Sequence, residues 1–96
     1  MTKPVSPFNF TLNPEAAASI HDNGIVILHT GQGRMFASNQ TGARIWRGIE
    51  RQLPLDAIAA EISDEYQIAR TTAREDVSRF LAELERQTLI ERGTQS

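Results

Sequence analysis

His21 and His29 are the only imidazoles in the chain. A metal site needs roughly three or four convergent ligands. Neither histidine has a second at helical ligand spacing, and no HExxH pattern occurs. Both therefore read as solvated or loosely packed rings, His29 at the end of an expected strand and His21 in a loop. Asp64 and Glu65 are adjacent, with Glu61 one turn earlier. Paired carboxylates do acid–base work where a pocket pushes their pKa values apart. Here they lie opposite an apolar stripe, which makes them a solvated helix face. Ser38, Ser63 and Ser78 have no recognisable base nearby in sequence. Gly31-Gln32-Gly33 lacks the GxxxxGK[ST] pattern and does not lead into a helix, so a phosphate cradle is not expected. Cysteine is absent, which removes disulfides, thiolate nucleophiles and cysteine-ligated zinc. No constellation of base, nucleophile or metal emerges. The expectation is a protein with no catalytic residues and no cofactor.

The aromatic residues offer binding rather than chemistry. Trp46, the single tryptophan, falls on an amphipathic stripe and reads as core. Phe36 alternates with Arg34 and Ser38 on one face, with Met35 and Ala37 on the other. Core anchor and groove wall fit Phe36 equally well.

The elements that would position these residues follow from periodicity. The chain has 96 residues, enough for one domain, with 40% apolar and 23% charged residues and a net charge of −2. That is an ordinary globular balance. There is no global basic field to attract nucleic acid. The longest apolar run, Ile25 to Leu28, is far too short to span a bilayer, and no secretory signal opens the chain. A cytoplasmic protein with no membrane partner is expected.

Phe8, Phe10 and Leu12 alternate with polar residues and predict a strand over Phe8–Leu12. Ala16 to Ala18 has no clear period and receives no assignment. Asn23-Gly24 signals a turn. Ile25-Val26-Ile27-Leu28 is dense in β-branched residues and apolar on both faces, as in an inner strand covered on both sides. Thr30-Gly31-Gln32-Gly33 suits a tight hairpin, and Arg34–Ser38 is the natural return strand. The remainder is helical. Asn39 caps a helix near Gln40–Arg51 whose apolar positions are Ile45, Trp46, Ile49 and Leu53. Pro54 suits the first turn of a second helix, to Tyr66, with a stripe of Leu55, Ile58, Ala59, Ile62 and Tyr66. Thr72 and Glu75 form a capping-box pattern ahead of a third helix near Ala73–Gln87. Leu89-Ile90 fits a last turn or a short strand.

The resulting class is α+β: a small three-stranded antiparallel sheet followed by three helices, compatible with a winged helix-turn-helix. The expected boundaries are a flexible arm over residues 1–7, the domain over 8–92 and a frayed end over 93–96. On a wheel, Ala73, Val77, Phe80 and Leu84 centre the apolar face of the third helix. Leu81 and Arg74 lie on one flank, and Asp76, Glu83 and Gln87 on the other. The Leu81 flank carries the apolar stripe beyond what a core needs, so Arg74, Val77 and Leu81 are expected to line a groove. Leu81→Ala is expected to weaken binding more than folding; if it unfolds the domain instead, the groove lies on the other flank.

The same architecture invites a DNA-binding reading. The third helix offers Arg74, Arg79 and Arg86, with Arg70 just before it. It also carries Glu75, Asp76, Glu83 and Glu85, which would repel phosphates. A regulator is therefore the lesser alternative, and nucleic acid is not an expected partner.

The segments Gly24–Leu28, Gly33–Asn39, Thr41–Trp46, Ile58–Ile62 and Asp76–Leu84 occur in an order and spacing that resemble the PqqD-like family. These are the peptide-recognition domains of pathways that make ribosomally synthesised, modified peptides. In the family the last segment reads Asp-Val, two variable residues, Phe-Leu, two more and Leu, as Asp76-Val77, Phe80-Leu81 and Leu84 do here. Two positions depart: the family often has an aromatic at Met35 and a leucine at Ser38. The resemblance implies a winged-helix domain without catalytic residues. It implies a precursor's leader peptide as partner, added as a strand along Arg34–Ser38 and facing the third helix. It further implies a leader peptidase or other peptide-modifying enzyme that receives the peptide, most in the manner of lasso-peptide pathways, with pyrroloquinoline-quinone synthesis as the rival. The expected peptide-binding residues are Arg34, Met35, Phe36, Ala37, Ser38, Arg74, Val77 and Leu81.

Overall fold

Two successive hairpins and three amphipathic helices account for most of the chain. The computed structural model describes residues 10–92. Its order is β1 (Phe10–Leu12), β2 (Ala16–His21), β3 (Gly24–His29), β4 (Arg34–Ser38), α1 (Gln40–Glu50), α2 (Leu55–Tyr66), α3 (Arg70–Arg86) and β5 (Ile90–Arg92). Strands β2, β3 and β4 form an antiparallel sheet in that order, and β1 pairs with β5 in a separate two-stranded sheet.

The expected three-stranded sheet is present, but its first member differs. Ala16-Ala17-Ala18 has little strand propensity of its own. It is a strand because β3 lies beside it, in register from Ala16↔His29 to His21↔Gly24. The strand expected over Phe8–Leu12 instead pairs its described part with the chain end, Phe10↔Arg92 and Leu12↔Ile90. Phe8, the arm over residues 1–7 and the end over 93–96 lie outside the described residues.

The turns hold the hairpins in register. Gly33 takes φ 64° and donates its N–H to His29 O at 2.8 Å, closing the loop from Thr30 to Gly33. Gly24 takes φ 153°, and a Cβ there would collide with the backbone carbonyl of Ser38. Only glycine lets the start of β3 lie so close to the end of β4.

Side-chain alternation sends Ile25, Ile27 and His29 to the helices, and all three are buried. The other face of the sheet is open: Leu28 is 41% and Met35 72% exposed. The reading of β3 as covered on both faces is thus corrected, since the helices lie on one side only. His29 is likewise not solvated. It shares the inner face with the two isoleucines, and its Nδ1 accepts the Gln32 N–H at 3.2 Å.

The helices follow the periodicity closely. Asn39 Oδ1 accepts the Gly42 N–H at 3.0 Å, as an N-cap should. Ala43, Ile45, Trp46 and Ile49 of α1 pack with Leu55, Ile58, Ala59 and Ile62 of α2 and Ala73, Val77, Leu81 and Leu84 of α3 in one core. Trp46 is core, and its Nε1 donates to Glu50 Oε2 at 3.2 Å. Two termini differ from expectation. Pro54 is the N-cap of α2 rather than part of its first turn, and its carbonyl accepts from Ala57 and Ile58. Helix α3 begins at Arg70 behind an Ala69 cap with no side-chain bond, so the Thr72/Glu75 pattern lies inside the helix and caps nothing.

Candidate peptide-binding groove

The phase of the hydrogen-bond ladder decides which backbone groups of β4 are free. Thr30 N–H donates to Glu15 O at 2.8 Å, across the extension of β2 and β3. The Gly33 bond turns the carbonyl of His29 the other way, towards β4. Residues along a strand alternate in direction. Ile25, Ile27 and His29 therefore address β4, and their partners there are Ser38, Phe36 and Arg34. Met35 and Ala37 must then point their N–H and C=O groups away from β3. Because β4 ends the sheet among the described residues, these groups form an open edge there that another extended chain can complete.

Side chains on the helical side tie this edge to α3. The Phe36 and Phe80 rings pack with centroids 6.0 Å apart. Arg34 reaches the C-terminal cap of α3, donating from Nη1 to Gln87 Oε1 at 3.1 Å and from Nη2 to Gln87 O at 3.0 Å. Gln87 Nε2 in turn donates to Glu83 Oε2 at 3.0 Å, and Arg86 bonds the other Glu83 oxygen. The Gln87 bond, joined by the Arg86 charge and hydrogen bond, holds the Glu83 carboxyl below the usual range against an opposing effect of burial.

A cleft of about 600 Å³ runs beside this junction. Ser38 and Asn39 at the end of β4, Gly42 and Ile45 of α1, and Phe80 of α3 supply its inner wall. Asp76, Arg79, Glu83 and Arg86 form its charged rim. The rim is balanced within the helix, as Arg79 pairs with Asp76 at 3.3 Å and Arg86 with Glu83. Gly42 makes the cleft possible. A Cβ there would stand 2.8 Å from Ser38 Cβ and 2.9 Å from Phe80 Cζ. Ser38, where the family often has leucine, keeps this corner small.

The residues expected to line a groove separate into three groups. Phe36 and Ser38 face the helical side, half-buried, with Ser38 in the cleft wall. Met35 and Ala37 lie at the open edge through their backbones, while their side chains stand on the outer face of the sheet. The α3 residues fall elsewhere. Val77 and Leu81 are 0% and 2% exposed, inside the core and outside the lining of this cleft. Arg74 faces α2, where Nη1 meets Asp56 Oδ1 at 3.1 Å. The cleft opens on the other flank of α3, with Asp76, Phe80 and Glu83. The wheel placed Phe80 at the centre of the apolar face. Contact with α2 rotates the buried stripe towards Leu81, leaving Phe80 half-buried and available. Among the described residues, no group of three or more His, Asp or Glu side chains is placed to hold a metal ion. No helix among them is long and apolar enough to cross a membrane.

Comparison with known proteins bears on the fold and the family. TbiB1, solved in complex with the TbiA(β) leader peptide, superposes with a TM-score of 0.80 at 27% identity, covering 88% of this chain and 99% of that one. A lasso peptide synthetase B1, solved complexed with its leader peptide, gives a TM-score of 0.79 at 25% identity, covering 86% and 98%. No curated protein matches the chain. Residues 24–90 match the family model described as coenzyme PQQ synthesis protein D, from the first residue of β3 to the first of β5. With about two-thirds of its length under that match, this chain belongs to the PqqD family.

Proposed function

We propose that this protein captures the leader segment of a ribosomally made precursor peptide and presents it to a leader peptidase or other modifying enzyme, without catalysing a step itself. The leader adds as a strand to β4 and sends side chains into the cleft against α3. The observation that carries this reading is the open edge at Met35 and Ala37 beside a cleft walled by Phe80, in a fold whose solved relatives are leader-peptide complexes.

Magnitudes support a mixed mode of binding. Two outward N–H and two outward C=O groups, at about 0.5–1.5 kcal/mol each, contribute about 2–6 kcal/mol. Micromolar affinity needs about −8 kcal/mol, so apolar side chains in the cleft must supply the rest. The similarity to lasso-pathway proteins over nearly their whole length favours a lasso-type precursor. The family description favours a pyrroloquinoline-quinone precursor as the second reading. The cytoplasm, where precursor peptides are made, is the expected place of action. A DNA-binding role draws little support from α3, because Arg74, Arg79 and Arg86 are each paired with a carboxylate.

Titration of the protein with candidate leader peptides tests the reading. A lasso leader should bind and a pyrroloquinoline-quinone precursor should not; the reverse result selects the second reading. N-methylation of the bound leader, one residue at a time, should alternate between losses of more than about 1 kcal/mol and small effects. A flat profile along the leader would rule out strand addition.

A further inference from the structure

Strand β4 and helix α3 form a wedge, closed at one end and open at the other. The inward residues of β4 are Arg34, Phe36 and Ser38. Arg34 bonds Gln87 and Phe36 packs on Phe80, whereas Ser38 and Asp76 line the same cleft. About 10 Å³ of free space is left around Arg34, Phe36 and Gln87, against about 600 Å³ in the cleft. Neither Arg34 nor Gln87 lines that cleft. Gln87 is the C-cap of α3. The last carbonyls of a helix find no partner within it and hold partial negative charge. Arg34 answers both needs, with Nη2 donating to Gln87 O and Nη1 to Gln87 Oε1. Gln87 Nε2 passes the tie on to Glu83, which does line the cleft.

We propose that Arg34 is a positioning residue: by clasping the C-cap of α3 to the start of β4 it fixes how wide the cleft opens at Ser38, without touching the leader. The role rests on the leader-binding reading above. Buried Leu84 and Leu89 hold the last turn of α3 and the chain beyond it down on the core. They set the depth of the helix end and leave its sideways approach to β4 to the phenyl pair and to Arg34. The clasp bonds are solvent-exposed, so they contribute little to folding. A small shift of the helix end nevertheless moves Phe80 and Glu83 with it, and a binding site tolerates little misplacement of its walls. Lysine at this position would keep the charge at the helix end but not the planar fork that makes two bonds at once.

The test is leader titration of Arg34→Ala, Arg34→Lys, Gln87→Ala and the Arg34→Ala/Gln87→Ala double variant, with the candidate leader that binds the wild type most tightly. Each single variant should weaken binding at least about fivefold, and the double variant should bind no worse than the weaker single one. Melting temperatures should stay within about 4 °C of the wild type. Without peptide, amide hydrogen exchange should quicken in Arg34→Ala at Gln87 and Thr88, whose N–H groups donate to Glu83 O and Glu85 O. Loss of affinity in Arg34→Ala with none in Gln87→Ala would overturn the proposal and make Arg34 a direct leader contact. Wild-type affinity in every variant would also overturn it, leaving the clasp merely structural. Wild-type affinity in Arg34→Lys alone would overturn the two-bond geometry, showing that charge suffices. If Arg34→Ala fails to fold, Arg34→Lys and Gln87→Ala decide. A wild type that binds no candidate leader sinks the leader-binding reading, whereas unchanged amide exchange sinks the clasp.

Discussion

The rings of Phe36 and Phe80 meet at 6.0 Å between centroids with their planes tilted by 56°, joining strand β4 to helix α3. Both rings are half-buried and pack against the edge of the core. A pair of this geometry contributes roughly 0.5–1.5 kcal/mol beyond the area it covers. It also sets the distance between edge and helix at the proposed leader site.

Phe80→Ala and Leu81→Ala should therefore separate binding from folding. Phe80→Ala should lower stability by about 1–3 kcal/mol, less than the 3–5 of a fully buried phenylalanine. It should weaken leader binding by at least about tenfold. Leu81→Ala should cost about 2–5 kcal/mol of stability and leave the affinity of the folded fraction nearly unchanged. Urea unfolding paired with leader titration measures both. Arg74→Ala is the control on the α2 side: an exposed pair is worth about 0–1 kcal/mol, and leader affinity should not move.

Ala37→Pro tests the open edge directly. It removes an N–H that points away from β3, so the fold should survive while leader affinity falls by about 0.5–1.5 kcal/mol. Phe36→Pro removes an N–H that bonds β3 and should unfold the hairpin. Equal damage from the two substitutions, read by circular dichroism and titration, would show that the assigned ladder phase is wrong.

Gly24→Ala should destabilise the domain by about 2 kcal/mol or more. The added methyl meets the carbonyl of Ser38, which is backbone and cannot swing aside. Thermal unfolding checks this, and a tolerated alanine would mean that β3 and β4 can separate at this end without cost.

Glu83 should give the domain a small acid-sensitive contribution. Its carboxyl is held below the usual range, first by the Gln87 bond and then by Arg86. A lowered folded value means that the contribution is fully present above the ordinary carboxylate range and is lost as pH falls through the folded value. Glu83→Gln should thus lower stability slightly at neutral pH, where the contribution is present, and converge with the wild type at acid pH, where it is already lost. Because Gln87 also receives Arg34, the same variant should loosen the β4–α3 junction and modestly weaken leader binding near neutral pH.

Much of the fold was legible because local rules and tertiary packing agree there. Ile25 to Leu28 and Arg34 to Ser38 read as a hairpin because a β-branched run precedes a glycine turn and a natural return segment follows it. Asn39, the α1 stripe and the α2 stripe follow from capping and the 3.6-residue period, and the order of short motifs carried the family. Three features belonged to tertiary structure alone. Ala16 to Ala18 is a strand only because β3 offers it a ladder, and no property of three alanines announces that. The partner of Phe10–Leu12 is the chain end, a pairing across some eighty positions that periodicity cannot see. The groove flank of α3 was set by how the helix rolls against α2. Leu81 and Phe80 are neighbours of similar hydrophobicity, and a helical wheel orders them around an axis without saying which direction is inward. Contact with α2 buries Leu81 and leaves Phe80 to Phe36 and the cleft, because a core close-packs whichever side faces its neighbours and releases the other.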